Sequence, residues 1–431
     1  MIRIAHFSDL HYGTKNLAEA DRSFGAAIDR AIALGAEAAV ISGDATDHGL
    51  DLHASAAERL VVQVRRLADH CPVLMLQGTF SHEPPGTLTI FRLLGGRYPV
   101  HVAGRIEQVA LTARGEWLAS TGWCFDRLPG NARALFSCVP TVNKAAVAAA
   151  VGATEAAQAV GEQLALLLRG YAPAHRMARR QGVPTIGVSH GTVFGCLSEH
   201  GVPMAGFDHE FTTGALFGAE AQAFMLGHIH RHQAWEQDSR VGRQCIAYPG
   251  SIGRFHYGEE GEKGFLLWEV DADQACVILE PTPARRTIDI VFEGKPDLDA
   301  LRAAIAQQDI AGAFVRVRWT AADEDRHQVD RAAIERLLDG AAETKLEGRI
   351  VPVVRTRAAG ISQLANLADK VRAWARVTEA RVEPLLACLQ TLSGQEPEAI
   401  VECVLTGREI PCGESSTKVE AMTNLEPLSL F

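Results

Sequence analysis

Short apolar runs, each closing on a small, charged or imidazole side chain, punctuate the first half of the chain. Met1-Ile2-Arg3-Ile4-Ala5 leads into Phe7-Ser8-Asp9-Leu10-His11, and Ala38-Ala39-Val40-Ile41 leads into Ser42-Gly43-Asp44. Val73-Leu74-Met75-Leu76 runs to Gly78 and then Ser81-His82-Glu83. Thr185-Ile186-Gly187-Val188 meets Ser189-His190, and Ala223-Phe224-Met225-Leu226 meets Gly227-His228-Ile229-His230. Runs this short, bounded by glycine and polar residues, predict strands buried on both faces. Phe24, Ala27, Ile28, Ala31 and Ile32 recur at helical spacing with Gly35 as the stop, and a second helix is predicted around Ser55 to Ala68. Strand and helix in alternation predict an α/β unit whose working crevice lies beyond the carboxyl ends of the strands. That architecture lets the five loops converge.

Further along, the Ala- and Leu-rich stretch 130 to 182 is predicted to be a helical insertion covering the sheet. From Ile246 the pattern turns antiparallel: Ile246-Ala247-Tyr248, Gly264 to Trp268 and Cys276 to Leu279 predict a second sheet packed on the first. Pro281, Pro283 and Arg285-Arg286 mark a boundary. The expected division is therefore residues 1–284, a small α+β domain of strand, helix, strand, helix, strand over 285–358, a helical segment over 359–406, and a disordered tail over 407–431. Within the helical segment Leu364, Leu367, Val371 and Trp374 share one stripe. Such a stripe packs on its own protein or on a partner, and Leu367, Val371 and Trp374 are the candidate partner contacts.

Composition narrows the class. At 431 residues the chain exceeds one small core, and 47% hydrophobic with 22% charged residues marks it as globular rather than disordered. No run approaches the roughly 18–20 uninterrupted apolar residues of a membrane span. The start reads as a strand rather than a signal peptide. Nine cysteines, an odd number without a Cys-x-x-Cys pair, point to a reducing cytoplasm and away from a disulfide framework or a zinc ribbon. A net charge of -10 argues against coating nucleic acid by bulk electrostatics, yet it leaves room for a nuclease whose cations offset its carboxylates. Local basic positions exist. Arg316 and Arg318 alternate in Phe314-Val315-Arg316-Val317-Arg318-Trp319 and so share a strand face; with Arg254 they are the candidate contacts to substrate phosphates.

Histidines and aspartates at the ends of the five runs carry the chemistry. Carboxylates and imidazoles without cysteine suit a pair of hydrolytic divalent ions such as Mn, Fe or Zn. Asp9, His11 and His230 form one candidate ligand set and His190 with His228 the other, with Asp44 bridging because Gly43 lets the backbone come close. Two ions so held clamp the attacking and leaving oxygens of a displacement at phosphorus and lower the pKa of bound water to about 7. His82 is the candidate proton donor to the leaving oxygen. His6, His101, His200, His209 and His232 read as structural or surface residues, and Asp47 as a helix cap.

Asp9-Leu10-His11, Gly43-Asp44, Ser189-His190 and Gly227-His228-Ile229-His230 together resemble the motif series of the calcineurin-like metallophosphoesterases. Tyr248-Pro249-Gly250-Ser251-Ile252 followed by Lys263-Gly264-Phe265 resembles the SbcD branch, the double-strand-break repair nucleases related to the meiotic recombination eleven protein. The resemblance implies a two-sheet sandwich flanked by helices, a small capping domain and a C-terminal helical segment. It also implies a Mn-dependent DNA exonuclease and endonuclease, a homodimer, and docking of the helical segment on an SbcC-type ABC ATPase.

One motif departs from the family's Gly-Asn-His-Asp/Glu. Here the stretch is Gly78-Thr79-Phe80-Ser81-His82-Glu83. Aligned from the glycine, Thr79 replaces the asparagine and Phe80 the histidine; with a two-residue insertion Ser81-His82-Glu83 falls in register. The second alignment is preferred because it keeps a histidine beside an acid, and it makes Ser81 the substitute ligand. The functional expectation is a DNA repair nuclease. The alternatives are a phosphoesterase of small nucleotides or phosphomonoesters and a scaffold with a weakened second metal.

Overall fold

The computed structural model describes residues 1–51, 53–94, 96–141, 153–204, 210–351 and 360–406, so the expected tail from 407 and His209 lie outside the described residues. The chain begins β1 (Ile2–Phe7), α1 (Leu17–Ala33), β2 (Ala38–Ile41), α2 (Ser55–His70), β3 (Val73–Leu76) and β4 (Val100–Ala103). It continues with β5 (Glu107–Thr112), β6 (Trp117–Ala119), β7 (Ala132–Val139), α3 (Ala153–Arg180), β8 (Thr185–His190), β9 (Thr192–Val193), β10 (Glu210–Phe211), α4 (Thr213–Phe217) and β11 (Ala223–Gly227). Then come β12 (Gln233–Ser239), β13 (Gly242–Tyr248), β14 (Gly264–Val270) and β15 (Ala275–Pro281).

Two large sheets result, one ordered β15-β14-β1-β2-β3-β4 and the other β12-β13-β11-β8-β7-β5-β6. In the first, β1 to β4 are parallel while β14 and β15 run antiparallel beside β1. In the second, β13, β11, β8 and β7 form the parallel centre. Alternation along β1 assigns its two faces. Ile2 and Ile4 pack against Phe136, Ile186, Val188 and Met225 of the opposing sheet, whereas Ala5 and Phe7 pack with Phe24 and Ile28 of α1. On the far side, Leu164, Leu168 and Tyr171 of α3 and Leu216 of α4 cover the second sheet. The layers are therefore helix, sheet, sheet, helix, and each fully buried Phe or Leu in them contributes about 1.5–3 kcal/mol.

Three sequence expectations change here. The five ligand-bearing strands do not share one sheet: β1, β2 and β3 lie in the first and β8 and β11 in the second. Of the antiparallel segments expected to form a second sheet, only the one containing Ile246 does so, while β14 and β15 extend the first. A strand buried on both faces has the same apolar pattern whichever sheet it joins. The 130–182 stretch is not wholly helical either, since Ala132–Val139 is β7, a central strand.

The small α+β portion comprises β16 (Thr287–Glu293), α5 (Leu298–Gln307), β17 (Phe314–Ala322), α6 (Arg331–Leu337) and β18 (Glu343–Val351). Its three-stranded sheet is ordered β16-β17-β18, and it has its own core around Val315, Val317, Trp319, Leu301 and Ile334. Asp297 caps α5 by accepting from Asp299 N and Ala300 N. Residues Met1–Ile350 make one compact unit; a second starts at Val351. In that second unit the helical segment is three helices, α7 (Leu367–Thr378), α8 (Val382–Ser393) and α9 (Pro397–Thr406). Glu379, in the left-handed region at φ 57, ends α7. Among the described residues no helix is long and apolar enough to cross a membrane.

Candidate metal centre

The loops after β1 and β2 are zipped together: Asp9 N donates to Gly43 O (3.1 Å), His11 N to Asp44 O (3.0 Å) and Tyr12 N to Ala45 O (3.0 Å). The backbone is bent hard to achieve this, with Asp9, His11, Asp44 and His228 at φ 51, 47, 50 and 101. Non-glycine residues avoid this region, at a cost of order 1–3 kcal/mol each, and such residues gather at functional sites. Gly43 is required at φ 106 because a side chain there would run into the His190 ring. Gly227 is required for space, since a Cβ would meet Ser42 O, Ser8 Oγ and the same ring.

Asp9, His11 and His230 bring one ligand atom each within 4.8 Å of one another. Nε2 of His11 faces Nε2 of His230 at 2.9 Å, and Asp9 Oδ1 lies 3.9 and 3.8 Å from them. Burial pulls His11 down to about 4 and carries His230 well below its usual value, so both rings are neutral at pH 7 and keep a lone pair. Burial also pushes Asp9 up to about 7, against the pull of His190. Asp9 Oδ1 and His230 Nδ1 are buried without a hydrogen-bond partner, a condition that costs about 1–3 kcal/mol per group. The other oxygen, Oδ2, is fixed by Ser8 Oγ (2.5 Å) and His228 N (3.0 Å). Facing lone pairs beside an unsatisfied carboxylate oxygen fit a divalent cation.

Asp44, His190 and His228 form another of the four such groups among the described residues; a third, His11, Asp47 and His82, shares His11 with the first. His190 reaches across the sandwich: its Nδ1 donates to Ser42 O of the first sheet (2.8 Å), and its Nε2 lies 3.2 Å from Asp44 Oδ2. Burial alone lowers the imidazole, but the Asp44 carboxylate overrides it and His190 is pushed up to about 9. Asp44 is likewise raised by burial, and the charge of His190 more than reverses this, holding it well below the carboxylate range. Asp44, His190 and His228 would hold a cation here in place of the shared proton.

Thr79, not Ser81, completes this side. Its N–H donates to Asp44 Oδ1 (2.6 Å), and its hydroxyl lies 3.2 Å from Asp44 Oδ2 and 3.1 Å from His190 Nε2. Ser81 is exposed two residues on. The motif therefore splits between the two alignments: Thr79 stands at the asparagine position counted from the glycine, and His82 keeps the imidazole two residues late. Glu83, fully buried, anchors the turn by accepting from Gly78 N (2.6 Å) and Ala45 N (2.5 Å). Burial raises its carboxyl to about 8, with Asp44 adding to the rise.

His82 stands against the first group, its ring edge-on to His11 with centroids 4.9 Å apart. Nδ1 of His82 lies 3.3 Å from Asp47 Oδ1, which also meets His48 Nδ1 at 2.9 Å. Asp47, read from sequence as a helix cap, is thus the carboxylate beside His82. The sequence signal was there, three residues after Asp44. Behind His230, Lys263 is buried and donates to His230 O (2.6 Å) and Ser251 Oγ (2.9 Å), which ties the Tyr248–Ile252 and Lys263–Phe265 motifs to a ligand loop.

Histidines set aside in the sequence are otherwise engaged. His6 pairs with Ser42 Oγ (2.8 Å), His101 with Glu107 (2.9 Å), His232 with Tyr248 O (2.7 Å) and His200 with Gly258 O (3.1 Å). Arg316 is bound through two nitrogens to Asp289 (2.8 and 2.6 Å), and Arg318, on the same face, lies 3.2 Å from that carboxylate. Arg254 donates to the carbonyls of Arg285 (3.0 Å) and Gly261 (2.6 Å). None of these three arginines is among the groups gathered at the centre. Leu367 and Trp374 are 58% and 40% exposed, and Val371 is half-buried.

No family profile matches the chain, and no curated protein does. Among solved structures the chain is similar to a dimetal phosphatase from Danio rerio at 11% identity, over 64% of this chain and 98% of that one, with a TM-score of 0.36. A likeness that remote carries no argument about chemistry, which rests instead on the geometry of the two ligand groups.

Proposed function

We propose that the protein is a two-metal phosphodiesterase that cuts DNA, the nuclease subunit of a break-repair complex driven by an SbcC-type ABC ATPase. The observation that carries the reading is the pair of ligand groups, Asp9-His11-His230 and Asp44-His190-His228, joined through the bond from His228 N to Asp9 Oδ2. Those two groups would hold two divalent cations, manganese by this reading, which would supply the Lewis acidity for phosphoester hydrolysis near neutral pH. The side chains do the rest. Ser8 and His228 N fix the Asp9 carboxylate, Thr79 fixes Asp44, and Lys263 holds the His230 loop. His82 gives its proton to the leaving oxygen, oriented by Asp47. Arg318 and Arg254 are the proposed contacts to substrate phosphates beyond the centre, and Arg316, expected with them, is set aside because Asp289 already holds two of its nitrogens. The exposed Leu367 and Trp374 stripe is the proposed ATPase surface, and the working protein is a cytoplasmic homodimer.

The test is incubation of purified protein with linear DNA and with bis(p-nitrophenyl) phosphate, in Mn and in EDTA. Cleavage of both substrates in Mn alone supports the reading. Cleavage of the small ester with DNA intact would replace it by a small-substrate phosphoesterase. Bound metal with no cleavage would leave a scaffold, the reading that Thr79 in place of an amide favours.

A further inference from the structure

A groove of about 700 Å³ opens beside the Gly78–Glu83 turn. Phe80 stands on its wall, and Leu88, Val102 and Ala119 line it together with Arg92 and Arg105. Phe80 directly follows Thr79, whose N–H and hydroxyl touch Asp44. Adjacent Cα atoms are about 3.8 Å apart, so the groove starts one residue from the metal centre.

Its chemistry is mixed in a particular way. Apolar Leu88 and Val102 and one aromatic, Phe80, line it beside the polar Gln77, Thr89 and His101. Arg92 donates Nη2 to Val102 O (2.5 Å); Arg105 donates Nε to Glu107 (3.0 Å) and Nη2 to Ser120 O (3.3 Å). A guanidinium has five N–H donors, so each keeps several beyond these bonds. Glu107, the acid lining the groove, is already answered by His101 and Arg105. A flat aromatic ring joined to an anion matches such a surface, and a nucleobase with its phosphate has that form.

We propose that this groove receives the nucleotide next to the scissile phosphate, with its base stacked on Phe80 and its further phosphate on Arg92 and Arg105. The placement next to the scissile bond rests on the phosphodiesterase reading; the stacking itself needs no metal.

The test titrates the full chain, in EDTA, with a 5′-phosphorylated dinucleotide carrying 2-aminopurine and reads fluorescence quenching. Stacking predicts quenching by the wild type, a Kd weakened about tenfold in Phe80→Ala and recovery in Phe80→Tyr. Arg92→Ala is expected to weaken the phosphorylated dinucleotide more than the unphosphorylated one. If Phe80→Ala melts early, Ala119→Trp, which fills the groove, serves instead and is expected to abolish quenching. No quenching by the wild type, or equal affinity in these variants, would overturn the proposal. Hydrolysis of bis(p-nitrophenyl) phosphate in Mn is scored alongside. Ester hydrolysis without dinucleotide binding removes the groove and keeps the phosphodiesterase; binding without hydrolysis of any ester does the reverse.

Discussion

Nε2 of His11 lies 2.9 Å from Nε2 of His230, although 219 residues separate them in the chain. Two neutral imidazoles at that distance share at most one proton, and a cation satisfies both lone pairs. His230→Gln is therefore expected to lower bound Mn by about one ion per chain. Hydrolysis should fall on the order of a thousandfold, the effect of losing several kcal/mol of metal stabilisation. Metal content by elemental analysis, with a melting curve of the metal-free variant to show that it is folded, checks this.

Proton release sets a pH dependence. In the metal-free protein Asp9, Glu83 and His190 have folded-state values raised to about 7, 8 and 9. A group raised on folding gives stability that is complete below its unfolded value and is lost as pH climbs through the folded one. Between pH 7 and 9 the folded chain thus holds more protons than the unfolded chain, and stability falls by about 1.4 kcal/mol per pH unit for each extra proton. His11, lowered to about 4, acts with the opposite sign, but its effect is complete below this window. The metal-free melting temperature is expected to fall from pH 7 to 9 while the increment from added Mn grows. A flat profile with and without metal would contradict the assignment of His190 and Asp44 as a proton-sharing pair.

Thr79 and Ser81 separate cleanly by mutation. Thr79→Val removes the hydroxyl beside Asp44 and His190 and is expected to weaken the second ion about tenfold, in line with lost support of metal ligands. Ser81→Ala, on an exposed side chain, should leave Mn affinity unchanged and stability within about 0.5 kcal/mol. Calorimetric Mn titration of both variants decides between the two alignments of the motif.

His82→Asn should retain both ions and lose about 10²–10⁴ in kcat, the usual span for a removed proton donor. Asp47→Asn should lose less and shift the pH profile of kcat, because its carboxylate charge lies 3.3 Å from His82 Nδ1. Equal metal loss in either variant would make these residues ligands instead.

Much of this centre was legible from sequence, and the reason is local. Asp9, Asp44, His190 and His228 each follow a short apolar run, so the end of a strand and the start of chemistry coincide in the letters. What stayed hidden depended on distant partners. Whether Val188 or Leu266 belonged to one sheet or the other has no local signature, because both are buried on either side. The strand containing Phe136 was masked by its Ala- and Leu-rich surroundings. The register that keeps His82 beside Glu83 points to Ser81, whereas the folded turn closed by Glu83 brings Thr79 to Asp44 and satisfies parts of both registers. Asp47 reads as a cap from its place three residues after Asp44, and only the fold brings His82 beside it.

The bond from His190 Nδ1 to Ser42 O joins opposite halves of the sandwich. During synthesis, the Ser42 half leaves the ribosome first and waits about 150 residues for its counterpart, and β14, which flanks β1, is made later still. A nascent chain shorter than that has every early ligand yet no closed site. Cation capture thus waits until strands of both sheets have been made, because neither half alone carries either of the two proposed ligand groups complete.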